Sequence, residues 1–84
     1  MEEREIGKIA HYYGHISVGI IALSDTLKIG DTIHIKGHSE DFTQAVDSIQ
    51  VEHKEVSEAG SGDMVGLKVI QKTHPGDKVF KIIA

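Results

Sequence analysis

Six histidines in 84 residues are the first feature of this chain with chemistry in it. Four of them fall in pairs four apart: His11 with His15, and His34 with His38. On a helix, two histidines at that spacing share a face and can hold one metal ion. On a strand they also share a face, but at about 3.3 Å per residue they stand about 13 Å apart. Two imidazoles that far apart cannot meet one zinc ion, whose bonds to nitrogen are about 2.1 Å long. A metal site would need histidines from neighbouring strands, which spacing does not reveal. The expectation is no metal and histidines on outward positions, with His34 the clearest case.

Other routes to catalysis are equally sparse. The chain has no cysteine, which excludes a thiolate nucleophile, a disulfide framework and a Cys-based zinc site. Ser17, Ser24, Ser39, Ser48, Ser57 and Ser61 show no partnership with His and Asp, and such triads are recognised by geometry rather than spacing. No Gly-x4-Gly-Lys-Ser/Thr run is present to cradle a phosphate. The pair Gly-Asp recurs at Gly30-Asp31, Gly62-Asp63 and Gly76-Asp77. Glycine accepts positive φ in a tight turn, and aspartate caps the turn with a short acceptor, so the repeat reads as a strand-start device rather than a row of catalytic acids. No catalytic residue, cofactor or enzymatic activity is expected.

A binding surface is the remaining chemistry. Tyr12 and Tyr13 are adjacent, so on a strand one packs inward and the other faces out. An exposed tyrosine beside Lys8 or His11 is able to stack on a nucleobase, a contact worth roughly 1–3 kcal/mol. A tyrosine that only covers one end of the core, with its hydroxyl in water, is the plainer reading. Lys8, His11, Tyr12 and Tyr13, with His53 and Lys54 further along, form the candidate surface.

The elements that position these residues read as β throughout. "REIGKIAHYY" and "SVGIIAL" are the first two strands, joined around Gly14, and "DTIHIKG" is the third, alternating with a period of two. "DFTQAVDSIQVEH" is a fourth, whose apolar parity slips between Val46 and Ile49, which predicts a bulge or bend near Asp47-Ser48. "DMVGLKVI" and "DKVFKII" are the fifth and sixth; "KEVSEAG" holds at most one helical turn. The phase of these strands predicts a core of Ile9, Val18, Ile20, Leu27, Ile33, Ile35, Val46, Val65, Leu67, Val69 and Val79. The second strand is apolar on both faces, which leaves an outer face to be bulged away or to meet a partner. Gly66, inside a strong strand, is expected to make room for a close approach.

Six short strands in one small domain spanning residues 1–84 suggest a small closed or nearly closed antiparallel barrel, since closure removes aggregation-prone edges. The hydrophobic fraction of 39 % suffices for one modest core. Net charge is −4, with 13 acids against 9 bases, which weighs against a strongly basic nucleic-acid binder but permits a local basic face. The charged start "MEEREIGK" is followed by no apolar leader segment, and no apolar run approaches the ~20 residues of a membrane helix. A cytoplasmic protein without membrane contact is expected.

The order of these segments is also specific. "VGIIALSDTLKIGDTIHIKG", "SIQVEHKEVSEAGSGDMVGLKV" and "HPGDKVFKI" resemble the second domain of translational GTPases such as elongation factor Tu and bacterial initiation factor two, over about residues 6 to 83. The resemblance implies a six-stranded antiparallel Greek-key β-barrel and, with no P-loop, transfers no GTPase activity. "HYYGHISVGIIAL", "DFTQAVDSIQVEHKEVSEAGSGDMVGLKV" and "GDKVFKI" look still more like the barrel on the C-terminal side of collagenase-like peptidase-family proteins, and like small translation elongation factor-like proteins. "QVEHKE", Gln50 to Glu55, separates that branch from the GTPases. The peptidase portion is absent, and Met1 leads directly into a strand, which favours a free-standing protein. By resemblance, association with RNA or the ribosome is the first expectation. The alternative is a protein-interaction module akin to the peptidases' accessory barrel, docking or self-associating through the second strand.

Overall fold

Each Gly-Asp pair closes a turn of one geometry in the computed structural model, which describes residues 2–83. Gly30, Gly62 and Gly76 have φ of 97°, 92° and 95°, the left-handed conformation that the third position of a type II turn requires. The N–H of Asp31, Asp63 and Asp77 donates back to the carbonyl of Lys28, Gly60 and His74, each at 3.1 Å. Each aspartate's Oδ2 then accepts the N–H of that same residue, at 2.9, 3.0 and 3.0 Å. Two residues on stand Ile33, Val65 and Val79, each 0 % exposed. The turn chemistry expected of these pairs is what they perform.

The chain is all-β, with no helix among the described residues. Ten strands form: β1 Glu2–Tyr13, β2 Val18–Leu23, β3 Leu27–Lys28, β4 Thr32–Lys36, β5 Asp41–Ala45, β6 Ile49–Val51, β7 Lys54–Val56, β8 Glu58–Ala59, β9 Met64–Lys68 and β10 Lys78–Ile83. Eight of them make one antiparallel sheet in the order β5-β4-β10-β1-β2-β9-β6-β7, and β3 pairs β8 in a second small ribbon.

Two expectations are corrected here. There are ten strands rather than six, because the long fourth segment breaks at residues 46–48 and three short strands join it. Val46 and Ile49, three apart, are 2 % and 0 % exposed, and one unbroken strand cannot turn both inward. The chain therefore bends at the expected place and crosses from β4's edge to β9. "KEVSEAG" makes β7 and β8 instead of a helical turn. The sheet also does not close into a barrel: β5 and β7 are free ends of the ladder. Between β5 and the end of β9, a side chain replaces a strand pairing. The Gln44 amide donates to the Lys68 carbonyl at 2.8 Å and accepts the Ile70 N–H at 2.9 Å.

β1 reaches two partners by bending twice. Its register shifts between Glu5 and Gly7 against β10, and between Ile9 and His11 against β2. Such bulges increase local twist and re-aim the side chains that follow. The core holds Ile6, Ile9, Ile21, Leu23, Leu27, Ile33, Ile35, Phe42, Val46, Ile49, Ala59, Val65, Leu67, Val69 and Val79. Val18 and Ile20 are a correction to the expected core: both are only half-buried, and Ile21 and Leu23 point inward in their place. Ile21 lies opposite the buried Ile9, and the β1 bulge that follows turns His11 outward opposite Ile20. A Cβ on Gly66 would find Ile20 and Val18 methyls at 3.5 Å, ordinary contact, so no close approach requires glycine there. Gly7 is the position that does: a Cβ would stand 2.5 Å from the Ala22 carbonyl oxygen.

Candidate functional site

The second bulge of β1 sorts the candidate residues. After it, His11 and Tyr13 face outward beside Ile20 and Val18, while Tyr12 sits opposite Gly19 and packs against the core. Tyr12 thus leaves the expected surface. The rings of His11 and Tyr13 stack at 6.4 Å with an interplanar angle of 26°.

Beyond Tyr13 the outer face of β2 and β9 forms a groove of about 370 Å³. Ile16, Val18, Ile20, Met64 and Gly66 form its apolar surface, with Tyr13 at one side and Gln50, Glu52 and His53 at the other. Ile16 is 53 % exposed, Met64 49 % and Tyr13 46 %, a concentration of large apolar side chains that burial has not taken up. Gly66, without a side chain, keeps the groove open between Ile20 and Gln50.

The rim is strained. Among the described residues, Ser17, Glu52 and His53 are the non-glycine positions with positive φ, at 55°, 52° and 65°. Ser17 sits between Ile16 and Val18, and Glu52-His53 is the two-residue loop joining β6 to β7, where Val51 faces Lys54. Such a hairpin loop needs positive φ at both central residues and ordinarily uses Asn-Gly. A non-glycine residue held in that region costs of order 1–3 kcal/mol, and such strain clusters at functional sites. His53 and Tyr13 line one groove. Lys54, exposed at the start of β7, is not among its lining residues.

Lys8 belongs to a different feature. It pairs with Lys78 of β10, and Lys78 pairs with Lys36 of β4. All three are exposed, and strands lie about 4.8 Å apart, so the lysines form a row across the outer sheet face. Like charges directly opposite destabilise a sheet. None of the three has an ion-pair partner among the described residues. At its other end Lys8 faces Ala22, which faces Met64 at the groove. The local basic face that a net charge of −4 permits is therefore present.

His34, expected as a plain surface histidine, is held on both sides. Its Nδ1 lies 2.7 Å from Glu3 Oε2, and its Nε2 bonds Asp41. The Asp41 bond, with Glu3 adding to it against a burial cost, raises His34 above its ordinary 6.5. The same bond lowers Asp41 below its ordinary value. A raised histidine stabilises the fold below its unfolded pKa, and that share is lost as pH rises through the folded pKa. The lowered aspartate adds stability above 3.8, lost as pH falls. In thermal unfolding from pH 5.5 to 8.5, His34→Gln is expected to lie furthest below the wild type at the acidic end. The gap should shrink as pH rises. A gap independent of pH would remove the ion pairs from the account.

Glu40, His74 and Asp77 form a cluster the sequence reading did not single out, since Glu40 lies 34 residues before His74 in the chain. His74 Nδ1 lies 2.8 Å from Glu40 Oε1, and Ser39 Oγ donates to Glu40 Oε2 at 2.9 Å. Hydrogen bonding with Asp77 and with His74 pushes Glu40 down to about 2. Burial, with Glu40 beside it, pushes Asp77 up.

No protein-family profile matches the chain. Over 77 residues, 90 % of this chain, it is 40 % identical to an uncharacterized protease of Methanocaldococcus jannaschii, of which the match covers 19 %. The chain thus spans about a fifth of the length of the curated relative it matches. Among solved structures, it is similar to the C-terminal domain of a Geobacillus thermoleovorans protein assigned to the U32 peptidases. The TM-score is 0.89 at 22 % identity, covering 95 % of this chain and 93 % of that one. The selenomethionine form of that domain gives 0.86 at 22 %, covering 90 % and 96 %. The chain is therefore related to a segment of a protease and has the fold of a peptidase-family C-terminal domain. These likenesses support the peptidase-side resemblance and lend none to the translation-factor one.

Proposed function

We propose that this chain is a non-catalytic protein-docking module of the accessory kind that peptidase-family proteins carry at their C-terminal side. The observation that carries the reading is the groove. Half-buried and exposed apolar side chains of β1, β2 and β9 converge there, and three strained backbone positions lie around it. Apolar surface gathered in one concavity and rimmed by polar residues is the usual mark of a docking site. Burial of Ile16 and Met64 against a partner supplies the driving force, and the Gln50, Glu52 and His53 side supplies polar contacts at the rim.

A second reading rests on its own observation, the row Lys36–Lys78–Lys8 with the His11–Tyr13 stack near its end. A cationic row beside a stacking platform suits single-stranded RNA. Salt separates the two, because phosphate contacts weaken steeply with added salt while apolar burial does not. The immobilised chain is offered the portion of the M. jannaschii relative outside the matched segment, and separately total RNA, at low and at high salt. The docking reading expects salt-resistant retention of the protein, abolished by Ile16→Glu, whose side chain is exposed and outside the core. Salt-sensitive RNA retention, lost when Lys8, Lys36 and Lys78 become Gln, with no protein retained, would replace it by the second reading. Retention of neither overturns both.

A further inference from the structure

The third Gly-Asp turn carries features its two counterparts lack. Its first residue is His74, where the others have Lys28 and Gly60. A second carboxyl, Glu40, reaches it from the loop between β4 and β5. That loop passes so close that a Cβ on Gly37 would overlap Asp77 Oδ1, so a side chain there would displace the Asp77 carboxylate. Asp31 and Asp63 are half-buried, but Asp77 is 5 % exposed and Glu40 8 %.

Turn chemistry accounts for Asp77 Oδ2 on the His74 N–H and for nothing further. It does not explain why a second carboxyl is buried beside the first. Two ionised carboxyls in one buried place repel, and the arrangement is costly unless a proton or a cation is shared between them. Among the described residues no lysine or arginine pairs with either one, and the half-exposed His74 is the basic side chain that meets Glu40. One ligand atom from each of Glu40, His74 and Asp77 lies within 4.8 Å of the others. One imidazole and two carboxylates suit a first-row divalent cation, and three protein ligands leave a fourth position for water. The His74 side chain is 50 % exposed, which provides the way in.

We infer that Glu40, His74 and Asp77 form a binding site for a divalent cation of the zinc class, which ties the 37–40 loop to the 74–77 turn. The site stands apart from the groove and the lysine row, and it holds whichever of them meets the partner. A small adjustment of His74 turns Nδ1 from Glu40 Oε1 to the ion, and both carboxylates gain a shared counter-charge.

The test uses the whole chain stripped of metal, with zinc chloride as the probe and thermal unfolding as the readout. Zinc at hundredfold excess over its dissociation constant is expected to raise the melting temperature by roughly 11–22 °C, reversed by a chelator. His74→Ala, at an exposed position, and Glu40→Gln, which keeps the volume, should each abolish the rise. His38→Ala and His15→Ala, on exposed residues outside the cluster, should keep it. No rise in the wild type would overturn the site. A rise that survives both His74→Ala and Glu40→Gln would place zinc on other histidines and overturn it equally.

Discussion

Gly7→Ala is expected to lower stability by about 3 kcal/mol, at the upper end of what overpacking costs. Gly7 lies in the core face of β1, paired with Leu23 on one side and Val79 on the other. A Cβ there would stand 2.5 Å from the Ala22 carbonyl oxygen and 2.9 Å from Ile21 Cγ2. The first of these is main chain, so relief requires the β1–β2 ladder to spread. An 84-residue domain has only about 4–12 kcal/mol in total. A shift of about 4–8 °C per kcal/mol puts the melting temperature down by more than 12 °C. Gly66→Ala is the internal comparison, because its Cβ meets nothing nearer than 3.5 Å. Melting curves in which Gly7→Ala loses no more than Gly66→Ala would show that the two strands are free to part.

Ile33→Ala is expected to cost about 2–5 kcal/mol, the loss of a buried branched side chain plus the cavity it leaves. Ile33 is 0 % exposed in β4, between Lys81 of β10 and Gln44 of β5. That places it where the sheet's edge curls over the core, with little backbone freedom to collapse into the space. Ile70→Ala removes the same atoms from a side chain 67 % exposed and should change little. Denaturant titration measures both, and equal midpoints would overturn the placement of Ile33 in the core.

The groove and the lysine row were only half legible in the chain. Tyr13, His11, Lys8 and His53 were named from residue type; Tyr13 and His53 line the groove, His11 stacks on Tyr13, and Lys8 stands in the lysine row. Tyr12 was named with them, and one bulged residue turned it to the core. β2 runs in the opposite phase to the expected one, so Val18 and Ile20 are surface of the groove rather than core. Sequence parity contains no sign of a bulge when both faces of a strand are apolar. Glu52-His53 gave no hairpin signal either, because the residues that normally mark such a loop are Asn and Gly. Lys36, Lys78 and Lys8 are remote in sequence, and only strand register makes them a row. The same holds for Glu40 with His74 and Asp77.

What the residues by themselves determined is local. Alternating β-branched runs made strands. Glycine's access to positive φ and aspartate's short acceptor set three identical turns, whose hydrogen bonds lie within four residues. The burial of Ile33, Ile35, Val65, Leu67 and Val79 followed from period-two alternation, with Thr32, His34 and Lys36 marking the outer face of β4. Tertiary structure decided everything that depends on partners distant in the chain. It set the order of eight strands, the ladder left open with Gln44 bridging its edge, the direction in which β2 faces, and the company each charged side chain keeps. The reason is that hydrogen-bonded turns and side-chain alternation are fixed by neighbours along the backbone. Register and face are fixed by how the twice-bulged β1 and its two partner strands share a single core, and one residue of slip exchanges inside for outside.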